Sequence, residues 1–119
     1  MQRLSLLSGG VDVKQLSEIQ TELRPWVKHN FGVRPAWQPL LGLQEELGEL
    51  SHAFLKREQG IRTSEDYVLE IRDSAADLVI FLLDFCNAEG IDLAHEVAFA
   101  WEHVQGRDWK KFPENGTDA

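Results

Sequence analysis

Apolar residues recur every three or four positions along most of the chain, which is the period of an amphipathic α-helix. The spacing predicts a first helix after residue 11, with Asp12 as its N-cap. Pro25 lies inside this helix and should kink or divide it, because proline has no backbone N–H to donate. The apolar residues that define the helix are Leu16, Ile19, Leu23 and Phe31.

A second helix is predicted from near Gln38 to about Gln59, where Gly60 ends it. Glycine suits this position because a helix commonly ends in a left-handed backbone conformation that glycine adopts without strain. The predicted core-facing stripe of this helix consists of Leu40, Leu43, Leu47, Leu50 and Phe54.

Two more helices follow in the second half of the chain. Thr63 or Ser64 is the predicted cap of the third, which ends at Gly90. Asp92 is the predicted cap of the fourth. The apolar stripe of the fourth helix consists of Leu93, Val97, Trp101 and Val104.

These elements predict an all-α fold, a bundle of four to five helices in a single domain. We expect a flexible lead-in at 1–11, the helical domain at 12–112 and a polar tail at 113–119. No segment alternates with the two-residue period of a strand, and no apolar run is long enough to cross a membrane.

Composition narrows the functional classes. A net charge of −8 argues against a nucleic-acid partner, because phosphate contacts need clustered Lys and Arg. Cys86 is the only cysteine and cannot form an intramolecular disulfide, and the first residues lack the apolar run of a signal peptide. We therefore expect a cytoplasmic protein with no membrane partner.

The acidic residues of the second helix lie close to its apolar stripe. At about 100° per residue, Glu46 and Glu49 flank the stripe one turn apart, whereas Glu45 lies on the opposite side. A carboxylate at the edge of a core is costly unless a partner compensates its charge.

The third helix carries four acids on one narrow line: Glu70, Asp73, Asp77 and Asp84. Asp77 interrupts an otherwise apolar run, so most of this helix should be buried. A hard divalent cation such as Mg²⁺ would stabilise such a line, because it prefers oxygen ligands. Asp84 is either a surface acid or an ion-pair partner.

The segments EELGEL at 45–50 and EIRDSAADLVIFLLDFC at 70–86 resemble the MazG-like nucleotide pyrophosphohydrolases of the all-α NTP pyrophosphatase superfamily. Residues from about 13 to 112 fit the resemblance, and the tail RDWKKFPENG, which begins at Arg107, fits it as well. The family pattern is EExxE followed by ExxD. The resemblance implies that Glu46, Glu49 and Asp77 bind Mg²⁺, with Mn²⁺ as an alternative.

One position departs from that pattern. Ser74 stands where the family has a glutamate three residues before the aspartate, so Asp73 is the expected fourth metal ligand and Glu70 the alternative. The resemblance implies hydrolysis of a nucleoside triphosphate to the monophosphate and pyrophosphate, a role in nucleotide-pool house-cleaning. A carboxylate that is not a ligand, Glu45 or Glu70, would orient or deprotonate the attacking water.

Four further residues are candidate substrate contacts. Lys56 lies seven residues after Glu49 on the same helix face, Trp37 could stack on a base, and Arg107 and Lys110 belong to the basic cluster. Each has a structural alternative: a solvated lysine for Lys56, core or interface packing for Trp37, and a surface or subunit contact for the basic cluster. The resemblance also implies assembly, as a homodimer or a dimer of dimers.

Two other classes of protein compete with this interpretation. A non-catalytic bundle that binds a nucleotide or a partner protein would explain Ser74. A di-iron bundle would use the ExxH formed by Glu49 and His52, but it needs a second ExxH, which the sequence lacks. His52 is therefore predicted to be a surface residue.

Overall fold

The computed structural model describes residues 11–118, and this part of the chain is all-α, as predicted. Of the expected lead-in at 1–11, all but Val11 lies outside the described residues, as does Ala119 of the tail. Within residues 11–118, every helix is too short or too polar to span a membrane. The helices are α1 (Leu16–Phe31), α2 (Trp37–Gln59), α3 (Tyr67–Glu89) and α4 (Leu93–Gln105).

Three of the predicted helix boundaries are confirmed. Gly60 and Gly90 follow α2 and α3 in the left-handed conformation, with φ of 67° and 69°. Asp92 caps α4 by accepting a hydrogen bond from the His95 backbone N–H at 3.3 Å. In each case the residue's own chemistry ends or begins the helix.

The predicted caps of α1 and α3 are wrong. Helix α1 begins at Leu16, after Gln15, and has no side-chain cap, so Asp12 lies before the helix. Helix α3 is capped by Asp66, which accepts a hydrogen bond from the Leu69 backbone N–H at 3.0 Å. Thr63, Ser64 and Asp66 all precede α3, and each is a residue type that can cap a helix. The structure identifies Asp66 as the cap because its side chain makes the hydrogen bond to the helix.

Pro25 does not divide α1, which was one of the two predicted effects. The residue is exposed, as is Thr21, whose carbonyl loses its helical donor. Water can therefore bond to that carbonyl, and the helix continues past the proline to Phe31.

Helices α2 and α3 form an antiparallel hairpin joined by residues 60–66. Near the open end of the hairpin, the ring of Phe81 on α3 lies against Gly42 on α2. The most buried apolar side chains of the hairpin are Pro39 and Ala53 on α2 and Leu83 and Cys86 on α3.

The face of α2 that packs on α3 agrees with the predicted stripe only in part, since Leu43 and Leu50 are half-buried but the other three residues are exposed. Pro39, Glu46 and Ala53, at seven-residue intervals, are the buried residues of α2. The predicted stripe residues Leu40, Leu47 and Phe54 stand one position later, about 100° around the helix, and each is exposed by 41% or more. The core of the hairpin therefore contains a glutamate, while Leu40, Leu47 and Phe54 face outward.

Helix α1 packs across α3 and holds the start of α4 through the side chain of Gln20. Gln20 Nε2 donates to the Ile91 carbonyl at 2.7 Å, and its Oε1 accepts from the Leu93 backbone N–H at 3.3 Å. Asn87 Nδ2 donates to the Gln20 carbonyl at 2.9 Å. Helix α4 has no buried residue, and Val97, Trp101 and Val104 of its stripe are exposed.

The segment after α4 folds back on itself. The Asp108 backbone N–H donates to the Gly116 carbonyl at 2.8 Å, and the Gly116 N–H donates to the Phe112 carbonyl at 2.8 Å. Gly116 has a φ of +80°, and a Cβ there would lie 2.9 Å from Arg107 Cβ. The polar residues 113–118 therefore close a compact turn under the end of α4.

Candidate metal centre

The α2–α3 hairpin places the four predicted metal ligands on its two facing helices. Glu46 on α2 and Asp73 on α3 are buried, with 5% and 8% of their surface exposed. Asp77 is half-buried one turn beyond Asp73, and Glu49 is exposed one turn beyond Glu46. The hairpin thus carries two acids on each helix within one turn of each other.

Glu46 is the acid whose burial and charged neighbours most disfavour an ionised carboxylate. Burial, followed by the negative charges of Glu49 and Asp77 and a hydrogen bond with Glu49, raises the pKa of Glu46 above its usual value. Within residues 11–118, its Oε2 is buried and has no hydrogen-bond partner. Like charges that share a poorly solvated site either bind a proton or need a cation.

A cleft of about 500 Å³ opens beside these acids. Its α2 wall includes Glu45 and Glu49, and its α3 wall includes Glu70 and Asp73. Glu45 therefore belongs to the cleft, although it lies away from the predicted apolar stripe. The remaining described residues that line it are Gly48, His52 and Ser74.

Glu70 occupies an environment of its own in this cleft. Burial, the charge of Glu65 and a hydrogen bond with Glu65 raise the pKa of Glu70, whereas the nearby His52 lowers it. Glu70 is thus a half-buried carboxyl whose affinity for a proton is increased. That property suits a group that accepts a proton from water.

The chemistry of these donors suits a hard divalent cation. Carboxylate oxygens are the ligands that Mg²⁺ prefers, and the buried Oε2 of Glu46 lacks the hydrogen bond that such an atom normally makes. Within the described part of the chain, no three His, Cys, Asp or Glu side chains already converge as a preformed metal site. A cation bound between α2 and α3 would offset the repulsion between these carboxylates.

Asp84 does not belong to the candidate centre, although it lies on the predicted acidic line. Its carboxylate forms an ion pair with Arg34, and the side chains retain 13% and 17% exposure. Of the two roles considered from the sequence, Asp84 is therefore the ion-pair partner. It joins α3 to the segment between α1 and α2.

The predicted substrate contacts do not gather around the cleft. Trp37 is 58% exposed at the start of α2, and Lys56 lines a separate cleft of about 240 Å³ at the other end of the hairpin. Lys56 Nζ donates to Gln59 Oε1 at 3.2 Å. Arg107 and Lys110 follow α4 and are not part of the lining of the large cleft.

The sequence interpretation missed two cleft residues, His52 and Gly48. His52 is exposed, as predicted, but it also faces Glu70 across the cleft. Its spacing from Glu45 and Glu49, seven and three residues, places it on their side of α2 and could have identified it. Gly48 leaves open space at that point, because a Cβ there meets nothing within 4 Å.

Comparison of the chain with protein-family models, with curated proteins and with solved structures finds no match in any of the three.

Proposed function

We propose that this protein is a Mg²⁺-dependent nucleoside triphosphate pyrophosphohydrolase, which releases a nucleoside monophosphate and pyrophosphate. The observation that carries the proposal is Glu46 beside an open acidic cleft, with a pKa raised first by burial and then by the charges of Glu49 and Asp77. Carboxylates that are crowded at one site repel one another, and a divalent cation bound there would offset this repulsion.

Glu46, Glu49, Asp73 and Asp77 would hold the cation. When bound, Mg²⁺ would neutralise part of the triphosphate charge and make a water molecule more acidic. Glu70 would accept the proton of the attacking water, since its raised pKa increases its basicity. The more exposed Glu45 is better suited to orienting that water at the cleft edge.

A pyrophosphate-release screen with Mg²⁺ tests the proposal across canonical and modified nucleoside triphosphates. Turnover is expected with at least one substrate, and Glu49→Gln and Asp77→Asn should abolish it. Glu89→Gln is the matched control, because Glu89 is an exposed acid at the far end of α3. Near-normal turnover of Glu49→Gln at saturating Mg²⁺ would show that the ligand assignment is wrong.

A second candidate is a non-catalytic bundle that binds a nucleotide or a partner protein. The observation that favours it is Ser74, which is 6% exposed and lines the cleft where the resembled family has a glutamate. Failure to turn over any triphosphate, combined with nucleotide binding by calorimetry, would establish this alternative.

A further inference from the structure

A further cleft lies between the end of α1 and α3, away from the acids of the candidate metal centre. None of its described lining residues belongs to the acidic cleft. On α3 it is lined by Asp84, which follows Asp77 by two turns, about 10 Å along the helix. Its volume is about 180 Å³, below the ~300 Å³ at which pockets begin to hold whole drug-sized molecules. A cleft of this size suits a small ion or one end of a larger ligand.

Positive charge predominates among the described residues that line this cleft, although the whole chain carries a net charge of −8. Arg24 and Lys28 stand one turn apart on α1, and Arg34 follows the helix. The Asp84 carboxylate offsets the charge of only one of these three cations. The excess of positive charge in the described lining therefore matches a dianion.

Neighbouring groups hold both arginines of the cleft in place. Arg24 Nε donates to Asn87 Oδ1 on α3 at 2.9 Å. The Arg34 guanidinium forms its ion pair with Asp84 and lies 5.1 Å from the centroid of the Phe31 ring. Guanidinium groups that are already fixed lose little side-chain entropy when a ligand binds them.

The contact with Asp84 does not use all the donors of Arg34. The ion pair is made by Nη2 of Arg34, and within residues 11–118 its buried Nε has no acceptor. A buried N–H group normally has one. Carboxylate and phosphoryl oxygens both match the planar fork of a guanidinium, but only a phosphoryl group carries close to two negative charges.

We propose that this cleft binds a phosphoryl dianion, either free orthophosphate or the phosphoryl end of a phosphorylated ligand. Arg24, Lys28 and Arg34 contact the phosphoryl oxygens in the bound state, while Asp84 holds Arg34 in position. Binding at this site needs neither Mg²⁺ nor turnover of a triphosphate. The proposal therefore goes beyond the proposed function and does not depend on it.

An NMR titration of the backbone amide signals with orthophosphate tests the proposal, in EDTA at pH 8 and at constant ionic strength set with NaCl. Saturable shifts of the Gly32 and Val33 signals are expected, with a Kd of about 1 mM or tighter. Acetate, a monoanion, should bind at least about tenfold more weakly. No saturable shift with orthophosphate, or equal affinity for acetate, would overturn the proposal.

Two substitutions in the cleft should change this affinity in opposite directions. Lys28→Gln should weaken the binding of orthophosphate about fivefold, because it removes one exposed cation. Asp84→Asn should strengthen it about tenfold, because it removes the negative charge beside Arg34. A purely structural ion pair predicts no such gain.

Lys14→Gln is the matched control for the loss of a lysine. Lys14 lies before α1, pairs with Glu22 and does not line the cleft, so the variant should keep wild-type affinity. Lys28→Gln changes a surface residue and decides the matter if Asp84→Asn does not fold. Wild-type affinity in Lys28→Gln would place the phosphate elsewhere and overturn the proposal.

A nucleoside monophosphate in the same titration separates the two sources of the phosphoryl group. Affinity at least about tenfold above that of orthophosphate would assign the site to a phosphorylated ligand, because the rest of the molecule then adds contacts. Equal or lower affinity would assign it to free phosphate, and either result supports the proposal. The pyrophosphate-release screen tests the acidic cleft separately, so failure of one proposal leaves the other intact.

Discussion

The Phe81 ring on α3 lies so close to Gly42 on α2 that a β-carbon at Gly42 would come 2.6 Å from Phe81 Cδ1. Only glycine allows this approach without moving the ring. The contact fixes the spacing of the two helices at one end of the hairpin, a turn away from Glu46. The geometry of the candidate centre therefore depends on a residue that bears no functional group.

Gly42→Ala should lower the free energy of unfolding by about 1–3 kcal/mol, because the added methyl group overpacks the helix contact. Gly48→Ala is the matched control, since its Cβ meets nothing within 4 Å. That variant should gain about 0.5–1 kcal/mol from improved helix propensity. Urea denaturation measures both, and equal stability of the two variants would contradict the close contact.

Asp73→Asn should reduce turnover at least about 100-fold if Asp73 replaces the glutamate missing at position 74. Ser74→Ala should change turnover little, since the hydroxyl is not a required ligand. Steady-state kinetics over a range of Mg²⁺ concentrations distinguish two causes of lost turnover. Loss of a metal ligand raises the Mg²⁺ concentration that turnover requires, whereas loss of the fold lowers turnover at every Mg²⁺ concentration. A damaging Glu70→Gln beside a silent Asp73→Asn would assign the ligand role to Glu70 instead.

The stability of the metal-free protein should fall as pH rises above about 4.5, the ordinary value for glutamate. The pKa of Glu46 is raised in the folded state, mainly by burial, so the folded protein holds its proton more tightly than the unfolded chain. The raised pKa of Glu70 acts in the same direction. Thermal unfolding in EDTA between pH 4 and 8 measures this dependence.

Glu46→Gln is the control for that dependence, because it keeps the shape and removes the charge. The variant should be more stable than the wild type at pH 7 and less sensitive to pH. Added Mg²⁺ should stabilise the wild type more than the variant. If the thermal stability of the two proteins depended on pH in the same way, Glu46 would be excluded as the cause of the pH dependence.

The chain should be a homodimer at least, with α2 contributing to the interface. Leu47→Glu or Trp101→Glu places a charge on an exposed apolar face and should shift the protein toward a monomer of 13.6 kDa. Val13→Glu, at a residue 99% exposed before α1, should leave the assembly unchanged. Sedimentation at micromolar concentration distinguishes these outcomes, and a wild-type monomer would refute the prediction.

Asp84→Asn should destabilise the fold but leave the Mg²⁺ dependence of turnover unchanged. The substitution leaves the partly buried Arg34 without its ion-pair partner, a change that costs about 2–4 kcal/mol. Chemical denaturation and an Mg²⁺ titration of turnover measure the two effects separately. A raised Mg²⁺ requirement would place Asp84 in the metal centre after all.

Helix existence and several helix ends could be predicted because they follow from local chemistry. Gly60, Gly90 and Asp92 each act through their own backbone or side chain. The orientation of α2 could not be predicted in the same way, because hydrophobicity does not say which apolar surface a neighbour covers. The packing face contains Gly42 and Ala53, whose small size permits close approach, whereas the larger Leu40 and Leu47 are exposed.

In the candidate site too, features set by spacing along one helix could be predicted, whereas contacts between distant segments could not. Helical spacing alone placed Asp73 and Asp77 on one line of α3. It could not show that Asp84 on that line is neutralised by Arg34, since Arg34 lies fifty residues earlier in the chain. Helical spacing also could not show that Glu70 and Glu46 have different acidic neighbours. Glu65 lies near Glu70, whereas Glu49 and Asp77 lie near Glu46.

The two bonds of the Gln20 side chain restrict what evolution can place at that position. One end of the amide donates to the Ile91 carbonyl and the other accepts from the Leu93 N–H. Glutamate has the same shape, but its carboxylate would face the Ile91 carbonyl without a proton to share. Leucine would leave both backbone groups unsatisfied. The turn into α4 thus requires a neutral amide at position 20. Homologous sequences that vary elsewhere along α1 should therefore keep glutamine at this position.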